Sequence, residues 1–126
     1  MEFKRFEVVS DYDVQSDILY IHHTSEYQYK ESVEIGDNLV LDFSEDDIPV
    51  ALEVIDASKL FNVPKYSLQN MKEYHLKILV DEDIMCIKGN FILPIHNKGM
   101  NIPINEQTIN DINMPYIETS FETAEA

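Results

Sequence analysis

The sequence predicts an α+β fold made mainly of antiparallel β-sheet, a meander carrying one or two short helices. Three observations predict it. Apolar and polar residues alternate over short stretches, as in Val33-Glu34-Ile35 and Leu39-Val40-Leu41-Asp42-Phe43, the period of a strand with one buried face. Turn-forming clusters such as Gly36-Asp37-Asn38 and Ser44-Glu45-Asp46-Asp47 separate these stretches, and connections that short join antiparallel neighbours. Helical signals are confined to a few short segments.

Taken in order, Arg5 to Val9 reads as a first strand, and Ser10-Asp11-Tyr12-Asp13 has the side chains of a turn, since short Asp and Ser groups bond nearby backbone. Asp17 to His23 places Ile18, Tyr20 and His22 on one face and Leu19, Ile21 and His23 on the other. Both faces are largely apolar, so this strand is central or covered on both sides. A polar loop over residues 24–30 follows, carrying two exposed tyrosines. Glu31–Ile35, Asn38–Phe43 and Ile48–Ile55 then complete the meander, with Pro49 near a strand start because it has no N–H to offer a ladder. Asp56 stands where its carboxylate would cap a helix over 57–61, and Val63-Pro64 stops that helix. Ser67 to Glu73 reads as a second short helix with its own Ser cap.

From His75 the strand pattern returns. Leu76–Val80, the turn Asp81-Glu82-Asp83, and Ile84–Lys88 form a hairpin, and Phe91–Ile95 follows. Residues 101–104 make a last short edge, and residues 105–112 a helical turn. Beyond Pro115 the chain is polar and acidic, which predicts a frayed end. The organisation expected is one domain over 1–126: a meander plus helix at 8–61, a hairpin-rich extension at 64–114, and a flexible acidic tail at 115–126.

The polar signatures of the first half resemble those of the YuzE-like domain of unknown function. The matching residues are Tyr12-Asp13, the strand from Asp17 through Tyr20, Asp42, and the run Glu53-x-x-Asp56-Ala57-Ser58. The resemblance covers about residues 8–61 and implies a fold unit without assigned chemistry. The chain departs from that pattern before its fifth strand, where Asp46-Asp47-Ile48-Pro49-Val50-Ala51 replaces a glycine-containing turn. Most matched residues have structural explanations: Asp13 caps its turn, Asp56 caps a helix, and Tyr20 packs with its hydroxyl partnered. Asp42 and Glu53 are harder to dismiss, because a carboxylate within an apolar strand costs desolvation unless it is paired or solvated.

Composition narrows the function classes. Nine Lys+Arg against 24 Asp+Glu give a net charge of −15. Residues 1–63 hold 15 acids and 4 bases (net −11), residues 64–126 hold 9 and 5 (net −4). Such a field repels nucleic-acid phosphates and anionic lipid, and favours basic proteins and divalent cations. No apolar run approaches the roughly 20 residues of a membrane span, and the N-terminus has no signal-peptide core. Cys86 is alone, which fits a reducing cytoplasm; between Met85 and Ile87 it reads as an inert core thiol.

Dedicated chemistry is poorly supported. Asp11-x-Asp13-x-x-x-Asp17 lacks the glycine bend and distal Glu of a calcium loop. His22 and His23 leave a strand on opposite faces, so they cannot share a metal. Three glycines, Gly36, Gly89 and Gly99, exclude phosphate loops and nucleophile elbows. No cofactor, metal or catalytic residue is assigned. The leading expectation is a non-enzymatic interaction module, antitoxin-like by the resemblance, that binds a small basic protein; a homodimer through sheet edges or an apolar face is compatible with it. A divalent-cation-binding acidic protein is one alternative. A small hydrolase using Asp42 and Glu53 is the other.

Overall fold

The computed structural model describes residues 3–123. The chain runs β1 (Phe3–Asp13), β2 (Ile18–His23), β3 (Tyr29–Ile35), β4 (Leu39–Ser44), β5 (Pro49–Ile55), α1 (Ala57–Phe61), α2 (Lys65–Gln69), β6 (Glu73–Val80), β7 (Ile84–Ile95), β8 (Lys98–Ile109) and β9 (Ile117–Thr123). All nine strands form one sheet in the order β3-β4-β5-β2-β1-β9-β6-β7-β8. No helix among the described residues is long and apolar enough to cross a membrane.

The sheet is mainly antiparallel, as expected from the sequence, but it is mixed and its strand order is not that of a simple meander. Strands β1 and β9 pair in parallel, from Phe3↔Glu118 to Val8↔Thr123, while the other neighbours are antiparallel. Nor are β2 and β3 adjacent: β2 pairs with β1 and β5, and β3 lies on the edge beyond β4. The linking segment 24–28 crosses three inter-strand spacings, about 14 Å. Five extended residues span about 17 Å, so the crossing is within reach.

Alternation builds the core as the pattern dictates. In β2 the odd residues Leu19, Ile21 and His23 are buried, and the even ones half-buried. In β6 it is Tyr74, Leu76, Ile78 and Val80 that go inward. The edge strands β3 and β8 approach each other, and Gly36 lies against Glu106 of β8. The sheet therefore curls around one apolar cluster fed by both halves, including Leu41 and Leu52 from one and Ile87 and Phe121 from the other. The short helices contribute to it through Phe61, whose ring lies 4.9 Å from Phe91.

Several local expectations are revised. Residues 117–123 are not part of a flexible tail; they form β9, hydrogen-bonded between β1 and β6 with Phe121 and Thr119 wholly buried. The last part of that expected tail, residues 124–126, lies outside the described residues. The short edge at 101–104 is the middle of the twelve-residue β8, whose strand also replaces most of the helical turn expected at 105–112. A two-residue turn, His96-Asn97, joins β7 to β8 with both φ positive (50° and 64°), the geometry whose twist suits a tight hairpin. The second helix starts at Lys65 after Pro64, two residues before the expected Ser67 cap. Cys86 is half-buried and leaves β7 on the outer side, between the inward Met85 and Ile87.

Candidate functional site

The matched residues of the first half separate into two groups. Tyr12, Asp13, Asp17 and Ser58 gather at the β1–β2 turn. Asp17 adopts a left-handed conformation (φ 58°), which Asp tolerates better than most residues. Its backbone N–H donates to the Asp13 carbonyl at 2.8 Å. Its buried carboxylate accepts from the Tyr12 hydroxyl (2.6 Å), the Ser58 amide (3.0 Å) and the Ser58 hydroxyl (2.7 Å). Burial would raise the Asp17 pKa, yet the bonds from Tyr12 and Ser58 outweigh it and hold the group below the usual carboxylate range. Tyr12 is pushed upward, first by burial and then by its bond to Asp17. Asp13 fastens the turn separately, accepting from the Ser16 hydroxyl (2.6 Å) and the Gln15 amide (3.2 Å).

Asp56 does not play its expected part. It precedes α1 but is left-handed (φ 55°), and its side chain makes no cap bond. The free amides of α1 are met by Asp17 instead: Ala57 donates to the Asp17 carbonyl at 3.0 Å and Ser58 to its carboxylate. The capping residue thus comes from 41 positions upstream.

The second group, Tyr20, Asp42 and Glu53, lies on the outer face. Register rows cross β3, β4, β5, β2 and β1 as Glu34–Val40–Glu53–Tyr20–Asp11 and as Ser32–Asp42–Ala51–His22–Val9. Asp42 and Glu53 are therefore diagonal neighbours on one face, both half-exposed. Asp42 accepts from the Ser32 hydroxyl at 2.6 Å. Tyr20 shares a hydrogen bond of 3.1 Å with Tyr27 and stacks on His22, centroids 4.8 Å apart. Its pKa is raised by burial, then by Tyr27, with Asp42 and Glu53 adding to the effect. His22 bridges to Asp11 at 3.1 Å. Neither row contains Lys or Arg.

What this surface can do chemically is bounded. Among the described residues no three His, Cys, Asp or Glu groups converge to hold a metal. Concavities among the described residues include one lined by Asn70, Ile92 and Gly99, one by Lys77, Lys88 and Glu122, and one by Lys4, Asp46 and Tyr116. None of them contains Asp42 or Glu53. Elsewhere, Ser120 and His75 both bond Glu122, at 2.7 Å and 2.5 Å. The carboxylate sits between serine and histidine, so the histidine cannot take the serine proton as a catalytic base does. The pairing of His75 with Glu122 was not legible in the sequence; strand residues 47 apart carry no local signal of meeting.

Fold and surface together define a small mixed-β protein whose β–α unit is tied by Asp17 and whose Tyr20, Asp42 and Glu53 lie half-exposed on the outer sheet face. Residues 10–58, the stretch holding that unit, match the family described as "Protein of unknown function (DUF2283)". The chain belongs to this family. It is 30% identical over 105 residues to a Methanosarcina mazei protein carrying the name "Putative hypoxanthine phosphoribosyltransferase", covering 83% of this chain and 84% of that one. It is 28% identical over 108 residues to an uncharacterized protein of Methanocaldococcus jannaschii, covering 85% and 89%. Alignments of this length reach beyond residues 10–58, so both relatives share part of the second half as well. No solved structure matches the chain.

Proposed function

We propose that the protein is a non-catalytic interaction module that takes a basic partner on the outer face of its first five strands. The observation that carries this reading is the pair of register rows through Tyr20 and Asp42. They set Asp11, Glu34, Asp42 and Glu53 around Tyr20 and His22 with no Lys or Arg among them. Half-exposed aromatics flanked by carboxylates suit Lys and Arg side chains, which gain charge complementarity and ring contact together. An antitoxin-like role, with a small basic protein as the ligand, is one form such a partnership takes.

The name of the Methanosarcina relative points to phosphoribosyl transfer. Anion cradles for that kind of substrate are built from closely spaced glycines at a helix N-terminus. Here Gly36, Gly89 and Gly99 lie far apart, in a turn and two strands, and each helix has five residues. That geometry gives the name no support in this chain.

Fluorescence anisotropy with a labelled Lys/Arg-rich peptide tests the interaction reading. Saturable binding that weakens with salt, and that falls about tenfold or more in a Asp42→Asn, Glu53→Gln variant, is expected. Binding that is unchanged in the variant would place the partner surface elsewhere and defeat the reading.

A further inference from the structure

Part of the positive charge of this acidic chain is gathered in one row. Arg5 of β1 pairs with Ser120 of β9, Ser120 with Lys77 of β6, and Lys77 with Lys88 of β7. Three of the nine Lys and Arg residues thus share one register row, and all three are exposed. Lys77 and Lys88 stand directly opposite each other, an arrangement in which like charges destabilise a strand pair. Among the described residues neither lysine has a carboxylate partner, in a chain with 24 acids to draw on. The acids of this face, Glu7, Glu73, Glu118 and Glu122, fall on other rows, and Glu122 is already engaged by His75 and Ser120.

A second observation coincides with the first. A concavity of about 410 Å³ opens at this row, lined by Lys77, Lys88, Asn90 and Asn101 and, on its other side, by His75 and the Glu122 carboxylate it bonds. Its size is that of a small-ligand site. Asn90 donates to the Asn101 side-chain oxygen at 2.6 Å, which orients the Asn101 amide and leaves its N–H groups to donate outward.

We propose that this cleft binds a small, multiply charged oxyanion of the phosphate type, with Lys77 and Lys88 supplying the charge and Asn101 a directional donor. Lysines bind phosphate as point charges, and two facing ammonium groups match a divalent anion. The net charge of −15 sets the size of the ligand. An extended polyanion meets the whole repulsive field, whereas a compact anion feels charges within about one screening length, roughly 10 Å at 0.1 M salt.

Calorimetric titration of the full chain with inorganic phosphate and pyrophosphate at constant ionic strength tests this, with citrate and a single-stranded oligonucleotide as comparators. Expected are saturable pyrophosphate binding, tighter than that of phosphate, and amide shift changes centred on residues 77, 88–90 and 101. Lys77→Gln and Lys88→Gln should each weaken binding about tenfold or more. Each should also leave Tm unchanged or raised, because it relieves the facing charges; this separates lost binding from lost folding. Absence of saturable pyrophosphate binding, equal affinity for citrate, binding of the oligonucleotide alone, or full binding in both variants overturns the proposal. A fall in Tm in both variants assigns the lysines to packing and overturns it as well.

Discussion

Asp17 caps a helix it does not belong to: its carboxylate accepts both the amide (3.0 Å) and the hydroxyl (2.7 Å) of Ser58, 41 residues downstream. The same group receives the Tyr12 hydroxyl at 2.6 Å. Bonds to a charged acceptor contribute about 1.5–3 kcal/mol each, and stranding buried partners costs more than the bond itself. Asp17→Ala should therefore lower stability by about 3 kcal/mol or more in urea denaturation. Ser58→Ala and Tyr12→Phe should each cost less, and their double-mutant cycle should show coupling through the shared carboxylate. Additive losses would mean that the three groups act independently.

The pH dependence of stability has two opposing histidine contributions. His23 is buried, stacked 4.2 Å from Phe6, and its Nε2 has no described partner. Burial pushes its pKa down to about 4, against a weaker opposing bond to the Pro49 backbone. Between pH 6.5 and about 4 the folded chain binds fewer protons there than the unfolded chain, so stability falls as pH is lowered through that window, by on the order of 3 kcal/mol. His75 behaves the other way. Its bond to Glu122 raises its pKa, so its contribution is complete below pH 6.5 and is lost as pH rises through the raised value. Thermal melts from pH 4 to 8 check both: His23→Phe should flatten the acid limb, and Glu122→Gln the alkaline one.

Gly89 is required by distance alone. A Cβ at this position would lie 2.0 Å from the His75 carbonyl oxygen and 2.9 Å from the Leu76 Cα, both backbone atoms of the paired strand. Backbone cannot swing aside as a side chain does, so Gly89→Ala must part β6 from β7. A loss of about 2–3 kcal/mol or more is expected by chemical denaturation, whereas Gly99→Ala, which meets only the Ile92 methyl at 3.2 Å, should be far milder.

Removal of the C-terminal segment distinguishes a tail from a strand. Chain termination after residue 115 deletes β9, leaves β1 and β6 without their shared neighbour, and takes the wholly buried Phe121 from the core. The truncated chain should lose its cooperative unfolding transition. A cooperative melt close to that of the full chain would show that β9 is dispensable.

Much of the strand content was legible because alternation and turn chemistry are local. The β6–β7 hairpin formed at its expected turn, where the Asp81 carboxylate accepts the Asp83 and Ile84 amides at 2.8 Å. His22 and His23 took opposite faces, as adjacent strand residues must. The β9 segment was misread because Glu118, Ser120 and Glu122 make it look solvated. Its inward set, Ile117, Thr119 and Phe121, is apolar enough only once β1 and β6 cover its flanks.

The site followed the same division. From sequence alone came the acidic excess, the family-like residues, and Asp42 and Glu53 as carboxylates that turns and caps do not explain. Only the tertiary structure decided that Asp17 rather than Asp56 holds the helix, that β1 and β9 pair in parallel, and that Ser120 of β9 sets Arg5 on the row of Lys77 and Lys88. Each of those pairings joins residues from 41 to more than 100 positions apart. Local propensity and periodicity set which face of a strand is apolar. Which strand lies beside it depends on loop reach and on burial summed over the whole sheet, and that sum exists only when the chain has closed around its core.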